Sequence, residues 1–287
     1  MSERILVTGA TGNVGSQLVR QLSAAGIATV AAVRSIERAA SLKLPNVELI
    51  EFDTEKPESF APAFSGIGKL FLVPPLVEDM LGYTSSIVEA AKKAGVSHIV
   101  KLSGLGADLE PGIQLGRWHR ATERIIEESE IAFTHLRPNS FMQNYLTFYG
   151  HTIKTQNSFY LPQGDGKISL IDTRDIASVA VAVFTKDGHK GKAYDLTGSE
   201  ALSNYDVAEV LSEVTARKIS YIDVPEDAAR QSMLSAGTLP WMTEALLELS
   251  SSIRAGYTAA VSNNVEKITG KKPITFRQFA EEFASQF

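Results

Sequence analysis

The sequence predicts an α/β fold: a Rossmann-type doubly wound parallel sheet with a smaller, mainly helical C-terminal domain. Three observations carry this. The first half alternates short, nearly all-apolar β-branched runs with helical stretches, the rhythm of a parallel sheet covered by helices on both faces. The opening stretch "ILVTGATGNVG" runs from a strand through a glycine-rich turn directly into a helix. Finally, 287 residues at 44% hydrophobic content suffice for one large α/β domain with an appendage, or for two domains.

In chain order, strands are expected at residues 4–8, 29–33, 47–52, 69–73, 98–102 and 133–136, with helices between them at 14–25, 36–42, 57–64, 77–94 and 116–129. The rhythm then loosens. A glycine-rich segment, "LPQGDGKISLIDTRDIA", leads into a helix at 173–184 and a strand at 193–197. "LSNYDVAEVLSEVTARK" reads as a helix capped by Ser203 or Asn204, "ISYIDVP" as a strand, and most of the remainder as helical. This divides the chain into a nucleotide-binding domain over 1–150, with 173–198 returning to it, and a substrate-side domain over 151–172 and 199–287.

Composition removes several classes of function. A net charge of -5 argues against a nucleic-acid partner. The absence of cysteine excludes disulfides, thiolate metal sites and a cysteine nucleophile. Five histidines, at 98, 119, 135, 151 and 189, show no metal-ligand spacing, so no metal is expected. No signal peptide and no apolar run long enough to cross a membrane is visible, so a soluble, cytoplasmic protein without a membrane partner is expected. A monomer and a homodimer fit the sequence equally.

The glycine loop carries the cofactor expectation. Gly9, Gly12 and Gly15 give a tight turn, close approach of backbone to pyrophosphate, and close helix–strand packing. With Thr11, Asn13 and Val14 they open a helix whose free N–H groups and dipole favour phosphate. Arg34 follows the second strand, 19 residues beyond Gly15, where an arginine suits a 2′-phosphate, so NADP(H) is preferred over NAD(H). The alternative is an exposed arginine opening a helix. Asp53, after the third strand, accepts from the adenine amino group or caps the helix near Pro57. Val73 and Pro74 close the fourth strand and line the cofactor site.

Taken together, "VTGATGNVG", "VRS", "EFD", "SGLGA", "HRATE" and "LRPNSFMQN" resemble the NmrA-like branch of the atypical short-chain dehydrogenase/reductases across nearly the whole chain. Within it the chain resembles the NADPH-dependent quinone oxidoreductases and triphenylmethane reductases. The resemblance implies a Rossmann domain, a smaller C-terminal domain and NADP(H) in the cleft between them. It also implies that the backbone around Pro138, Asn139 and Ser140 reaches the nicotinamide carboxamide, and that Ser103 occupies the place of the superfamily's serine. The branch includes members that bind the dinucleotide and regulate other proteins without turnover.

The wider superfamily places Tyr-x-x-x-Lys near residue 119. Here the spacing holds His119 and Glu123, and none of the eight tyrosines has lysine four residues later. That disfavours alcohol oxidation and sugar-nucleotide epimerisation, which need a positioned acid–base group. Hydride transfer to an activated aromatic acceptor asks only that the nicotinamide be placed against an electrophilic carbon. His119 and Glu123 share one helix face and serve either as a hydrogen-bond or proton pair, or as a surface or structural ion pair. Phe141, Asn144 and Tyr145 form either a pocket wall for a flat substrate or part of the core. The expected function is an NAD(P)H-dependent reductase delivering hydride to a quinone or similar small aromatic acceptor. The alternative is a non-catalytic NADP(H)-binding redox sensor that regulates a partner protein.

Overall fold

The structure, a computed structural model, describes residues 4–287. The chain opens with strand β1 (Arg4–Val7), helix α1 (Asn13–Ala24), β2 (Thr29–Val33), β3 (Val47–Glu51), α2 (Phe60–Phe64), β4 (Ile67–Leu72), α3 (Met80–Lys93), β5 (His98–Leu102), α4 (Gln114–Glu128) and β6 (Ala132–Pro138). There follow α5 (Asn144–Thr147), α6 (Gly150–Gln156), β7 (Ser158–Leu161), β8 (Lys167–Ile168), α7 (Thr173–Thr185) and β9 (Lys192–Leu196). The chain closes with β10 (Leu202–Ser203), α8 (Asn204–Thr215), β11 (Ser220–Asp223), α9 (Glu226–Ser235), α10 (Pro240–Arg254), α11 (Asn264–Thr269) and α12 (Phe276–Glu282).

Two compact units result. The first comprises Met1–Ala107, Arg117–Arg137 and Thr173–Asp195, and the second comprises Asp108–Gly116, Pro138–Asp172 and Leu196–Phe287. The expected boundary at 150 therefore moves to 138. Met142 and Tyr145 are 1% and 2% exposed and pack with Phe159, Phe276 and Phe279 in the second core.

In the first unit, seven strands run in the order β3-β2-β1-β4-β5-β6-β9. The paired strands β1 through β6 are parallel. Strand β9 continues the same direction, since Gly191 donates to the Phe133 carbonyl at one end and Asn139 donates to that of Leu196 at the other. Alternation sorts the side chains by face. Leu6, Val30, Leu70, Leu72 and Ile99 pack with α2, α3 and Ile126 of α4 in one core. The opposite register, Ile5, Val7, Phe71 and Val100, is equally buried. Helices α1 and α7 pack on each other, with Gln21 donating to the Arg174 carbonyl.

The face toward α4 changes character along the strands. In β5 it reads Ile99, Lys101 and then Ser103; in β6 it reads Phe133, His135 and Arg137, with Ile99 opposite Phe133 and Lys101 opposite His135. An apolar floor thus becomes polar toward the carboxyl ends of the strands, where ligands bind in parallel sheets.

The expected helix at 36–42 does not form. Only a 3-10 turn, Ala40–Leu42, appears there, and Pro45 follows closely. So short a segment has too few hydrogen bonds to offset nucleation, and only Ala39 and Leu42 are buried. The stretch 57–64 divides into a 3-10 turn, Pro57–Ser59, and α2.

The second unit holds two small sheets, antiparallel β10-β8 and parallel β11-β7, among helices α5, α6 and α8–α12. The cap of α8 is Ser203, in a reciprocal box with Asp206.

Candidate functional site

The glycine loop is fastened to the end of β4. The Thr8 hydroxyl donates to the Phe71 carbonyl at 3.2 Å and accepts from the Val73 amide at 2.9 Å. Gly9 adopts φ +61°, and a Cβ there would lie 3.0 Å from that of Val73. Gly12 donates to the Gly9 carbonyl at 2.9 Å and stands as the N-cap of α1 with no side-chain cap bond. A Cβ at Gly15 would drive into the Gly9 carbonyl, 2.8 Å from its carbon. Gly9, Thr11, Gly12 and Asn13 are exposed, while Val14 and Gly15 are buried. An open helix end lined by amides, at a turn whose Gly9 and Gly15 positions have no room for a side chain, fits the pyrophosphate of a dinucleotide.

Val73, partly buried, and Pro74, buried, follow β4 beside this loop. Arg34 directly follows β2, exposed, and among the described residues its guanidinium has no hydrogen bond or ion pair. Asp53 does not cap the turn at Pro57, whose cap is Lys56 without a side-chain bond. Its Oδ1 accepts instead from the Glu55 amide at 3.1 Å, and Lys56 lies 3.7 Å from its Oδ2.

Helix α4 carries His119 and Glu123, and the structure gives them different surroundings. Glu123 is fully buried. Its Oε1 accepts from Ser103 at 2.7 Å and Arg137 Nε at 2.9 Å, and its Oε2 from Arg137 Nη2 at 2.8 Å and Arg120 Nη1 at 3.1 Å. Burial opposes its charge, but the bonds from Arg137 and Ser103, with His135 and Arg137 nearby, prevail and hold the carboxyl at about 2. With both oxygens occupied, Glu123 fastens α4 to β5 and β6. The Ser103 hydroxyl is committed to this carboxylate.

His119, one turn earlier, has no bond to Glu123. Its Nδ1 lies 3.3 Å from Nζ of Lys101, a lysine with no exposed surface. Burial and then the Lys101 charge bring His119 down to about 3 against the weaker opposing pull of Glu123, so its ring is neutral. A Cβ on Gly104 would sit 2.7 Å from His119 Cδ2 and 3.2 Å from Nε2, so the ring's seat depends on that glycine. Arg120 continues the network, binding Glu127 at 2.6 and 3.0 Å, and Glu127 meets His135 Nε2 at 3.2 Å. Glu123, Glu127 and His135 bring ligand-type atoms within 4.8 Å of one another, but Arg120 and Arg137 already hold both carboxylates.

Lys101 lies outside every motif quoted from the sequence, and Arg120 and Arg137 lie inside "HRATE" and "LRPNSFMQN" without being read as site residues. For Lys101 and Arg137 a signal is nonetheless present: "HIVKLS" and "FTHLRP" place polar residues at alternate positions of two strands otherwise rich in apolar residues.

In the second unit the expected contacts divide. Asn139 Nδ2 donates to Ser169 and to the Thr258 carbonyl, while its Oδ1 accepts from Ser140 N at 2.8 Å. The Asn139 amide donates to Leu196, and the Ser140 carbonyl accepts from Ile171. The Asn139 side chain and these backbone groups are thus engaged in the fold, and Pro138 is buried. Tyr145 is core rather than pocket wall. Its hydroxyl donates to Asn204 at 2.6 Å, and its ring packs on Tyr149, Phe159 and Phe276. Phe141, bridged to Ile171, and Asn144, at the start of α5, are partly buried.

Comparison with known proteins sets this geometry in a family. The NmrA-like family matches residues 1–281. The chain belongs to the NmrA-like family. It is 38% identical over 283 residues to an NAD(P)H azoreductase of Xenophilus azovorans, covering 99% of each chain. Among solved structures it resembles the NADPH-dependent quinone oxidoreductase of Escherichia coli complexed with NADPH, with TM-score 0.86 and 26% identity over 97% of this chain and 99% of that one. It also resembles Citrobacter sp. triphenylmethane reductase complexed with NADP(H), with TM-score 0.84 and 25% identity over the same shares. The seven-stranded sheet with flanking helices is thus the Rossmann-type fold of NmrA-like reductases. Among the described residues no helix is long and apolar enough to cross a membrane.

Proposed function

We propose that this NmrA-like chain is an NAD(P)H-dependent reductase that delivers hydride to a quinone or similarly activated small aromatic acceptor, with NADPH preferred over NADH. The observation that carries the reading is the amino end of α1, uncapped by any side chain and bounded by Gly9, at positive φ, and by Gly15, where a Cβ would collide with the Gly9 carbonyl. Support comes also from the relatives, named for azo, quinone and dye reduction.

In this reading the backbone of Gly9, Thr11, Gly12, Asn13, Val14 and Gly15 holds the pyrophosphate, and Val73 and Pro74 flank the dinucleotide at the end of β4. Arg34, with no partner among the described residues, takes the 2′-phosphate, and Asp53 accepts from the adenine amino group. The bound nicotinamide supplies the hydride. The chain contributes placement of the acceptor against it.

The test is NADPH oxidation against a panel of quinones, azo compounds and triphenylmethane dyes. Turnover on at least one class is expected. Tight NADPH binding with no turnover on any of them would overturn the reading in favour of an NADP(H)-binding regulator of a partner protein.

A further inference from the structure

Lys101 is an unusual component of a parallel sheet. It has no exposed surface, and among the described residues no carboxylate lies within ion-pair distance of it. The nearby carboxylate, Glu123, is already bound by Arg137, Arg120 and Ser103. A buried ammonium without a counterion is expensive, and a methionine would fill the same space without that penalty. Its hydrogen-bond partner is the ring of His119, which is only partly buried and reaches the carboxyl end of β5 over Gly104. An ammonium has donors alone, so Nδ1 accepts and the ring's own proton lies on Nε2, the edge lying against Gly104. The ring thus joins a buried acid to the strand ends where ligands of parallel sheets bind.

We propose that Lys101 and His119 form a proton relay: Lys101 fixes His119 as the Nε2–H tautomer and replenishes it, and Nε2–H protonates the acceptor as it is reduced. The relay rests on the reductase reading above. When hydride reaches a quinone or azo group, an electron pair moves onto its oxygen or second nitrogen. That atom takes the proton from His119. The Nε2–H bond breaks and an O–H or N–H bond forms, while a Lys101 Nζ–H bond breaks and an Nδ1–H bond forms. The ring stays neutral and ends as its other tautomer, Lys101 ends as a neutral amine, and a proton from water restores both.

The electrostatics agree. Burial lowers Lys101 to about 7, with Glu123 pulling it back up and Arg137 and Arg120 pushing it further down. Lys101 can therefore both hold and release a proton near neutral pH, whereas His119, at about 3, stores none of its own. The other titratable groups around the pair, Glu127 on α4 and His135 on β6, are joined to each other.

Acceptor chemistry separates this relay from a structural contact. Hydride added to a cationic triphenylmethane dye gives a neutral product with no proton required, whereas a quinone or azo group requires one. For His119→Gln and for Lys101→Met, the ratio of quinone to dye reduction should fall about 100-fold. An unchanged ratio in His119→Gln overturns the relay, also in the event that Lys101→Met does not fold. The second readout is imidazole 15N NMR of the protein without cofactor. The His119 Nδ1 resonance should be unprotonated at pH ~6 and move with a midpoint near neutrality, and that midpoint should vanish in Lys101→Met. A protonated Nδ1, or a resonance indifferent to Lys101, overturns the proposal. A wild-type protein that reduces no acceptor overturns the reductase reading and the relay's role with it, while the NMR titration still reports whether Lys101 and His119 are coupled.

Discussion

His119 and Glu123 stand one helical turn apart on the same face of α4, and their surroundings differ in kind. Glu123 is sealed, charged and held by four hydrogen bonds from Ser103, Arg120 and Arg137. His119 is partly exposed, neutral and joined through Nδ1 to Lys101 alone. The strands beneath explain the difference. Arginine and serine meet the helix at Glu123 and offset the desolvation of its charge, whereas a lysine meets it at His119 and repels a second positive charge. Spacing on a helix brings two residues to one face, and the register below decides what each becomes.

The largest expected effect tests the sealed end. Glu123→Ala leaves the buried Arg137 guanidinium without its carboxylate and should lower stability by about 3–5 kcal/mol in urea unfolding. His119→Ala, at a partly exposed site, should lose only about 1 kcal/mol. Equal losses would erase the contrast. Acid sharpens it. The Glu123 carboxyl sits at about 2, below its unfolded range, so its contribution is present above that range and is lost as pH falls. Roughly 3 kcal/mol should disappear between pH ~5 and ~2, and Glu123→Gln should lack this dependence.

Lys101 adds a second rise of stability with pH, in a higher window and for the opposite reason, since here the charged form is the disfavoured one. Its value of about 7 lies below the unfolded one, so between those values the unfolded chain binds more protons and stability rises with pH. A gain of about 2 kcal/mol from pH ~7 to ~9 is expected for the wild type and not for Lys101→Met. A flat profile in the wild type would mean that the buried lysine is not strained. The smallest effect belongs to Arg34, exposed and without a partner among the described residues, as unlike Glu123 as a charge can be. Arg34→Ala should change stability by less than about 0.5 kcal/mol. It should weaken NADPH binding about 10-fold by calorimetry and leave NADH unchanged. Equal loss for both cofactors would remove Arg34 from the 2′-phosphate.

Much of the first unit is legible in the sequence. Strand and helix periods, the glycines between β1 and α1, and the family motifs each act over a few residues, so the order of the elements follows from local pattern. The helix expected at 36–42 fails where local preference is weak and packing too slight to support it. Tyr145 is another such case. Its spacing suits a pocket wall as well as a core, and only the placement of Phe159, Phe276 and Asn204 around it chooses the core.

The sequence by itself determined a parallel α/β fold with a glycine-bounded helix end and no Tyr-x-x-x-Lys pair, because these are properties of neighbouring residues and of residue types. The tertiary structure decided what surrounds His119 and Glu123. Lys101 and Arg137 lie 18 residues before His119 and 14 after Glu123, and only the parallel register of β5 and β6 beneath α4 brings them together. Their joint effect is to freeze Glu123 as an anchor and to leave His119 as a neutral ring backed by a buried ammonium.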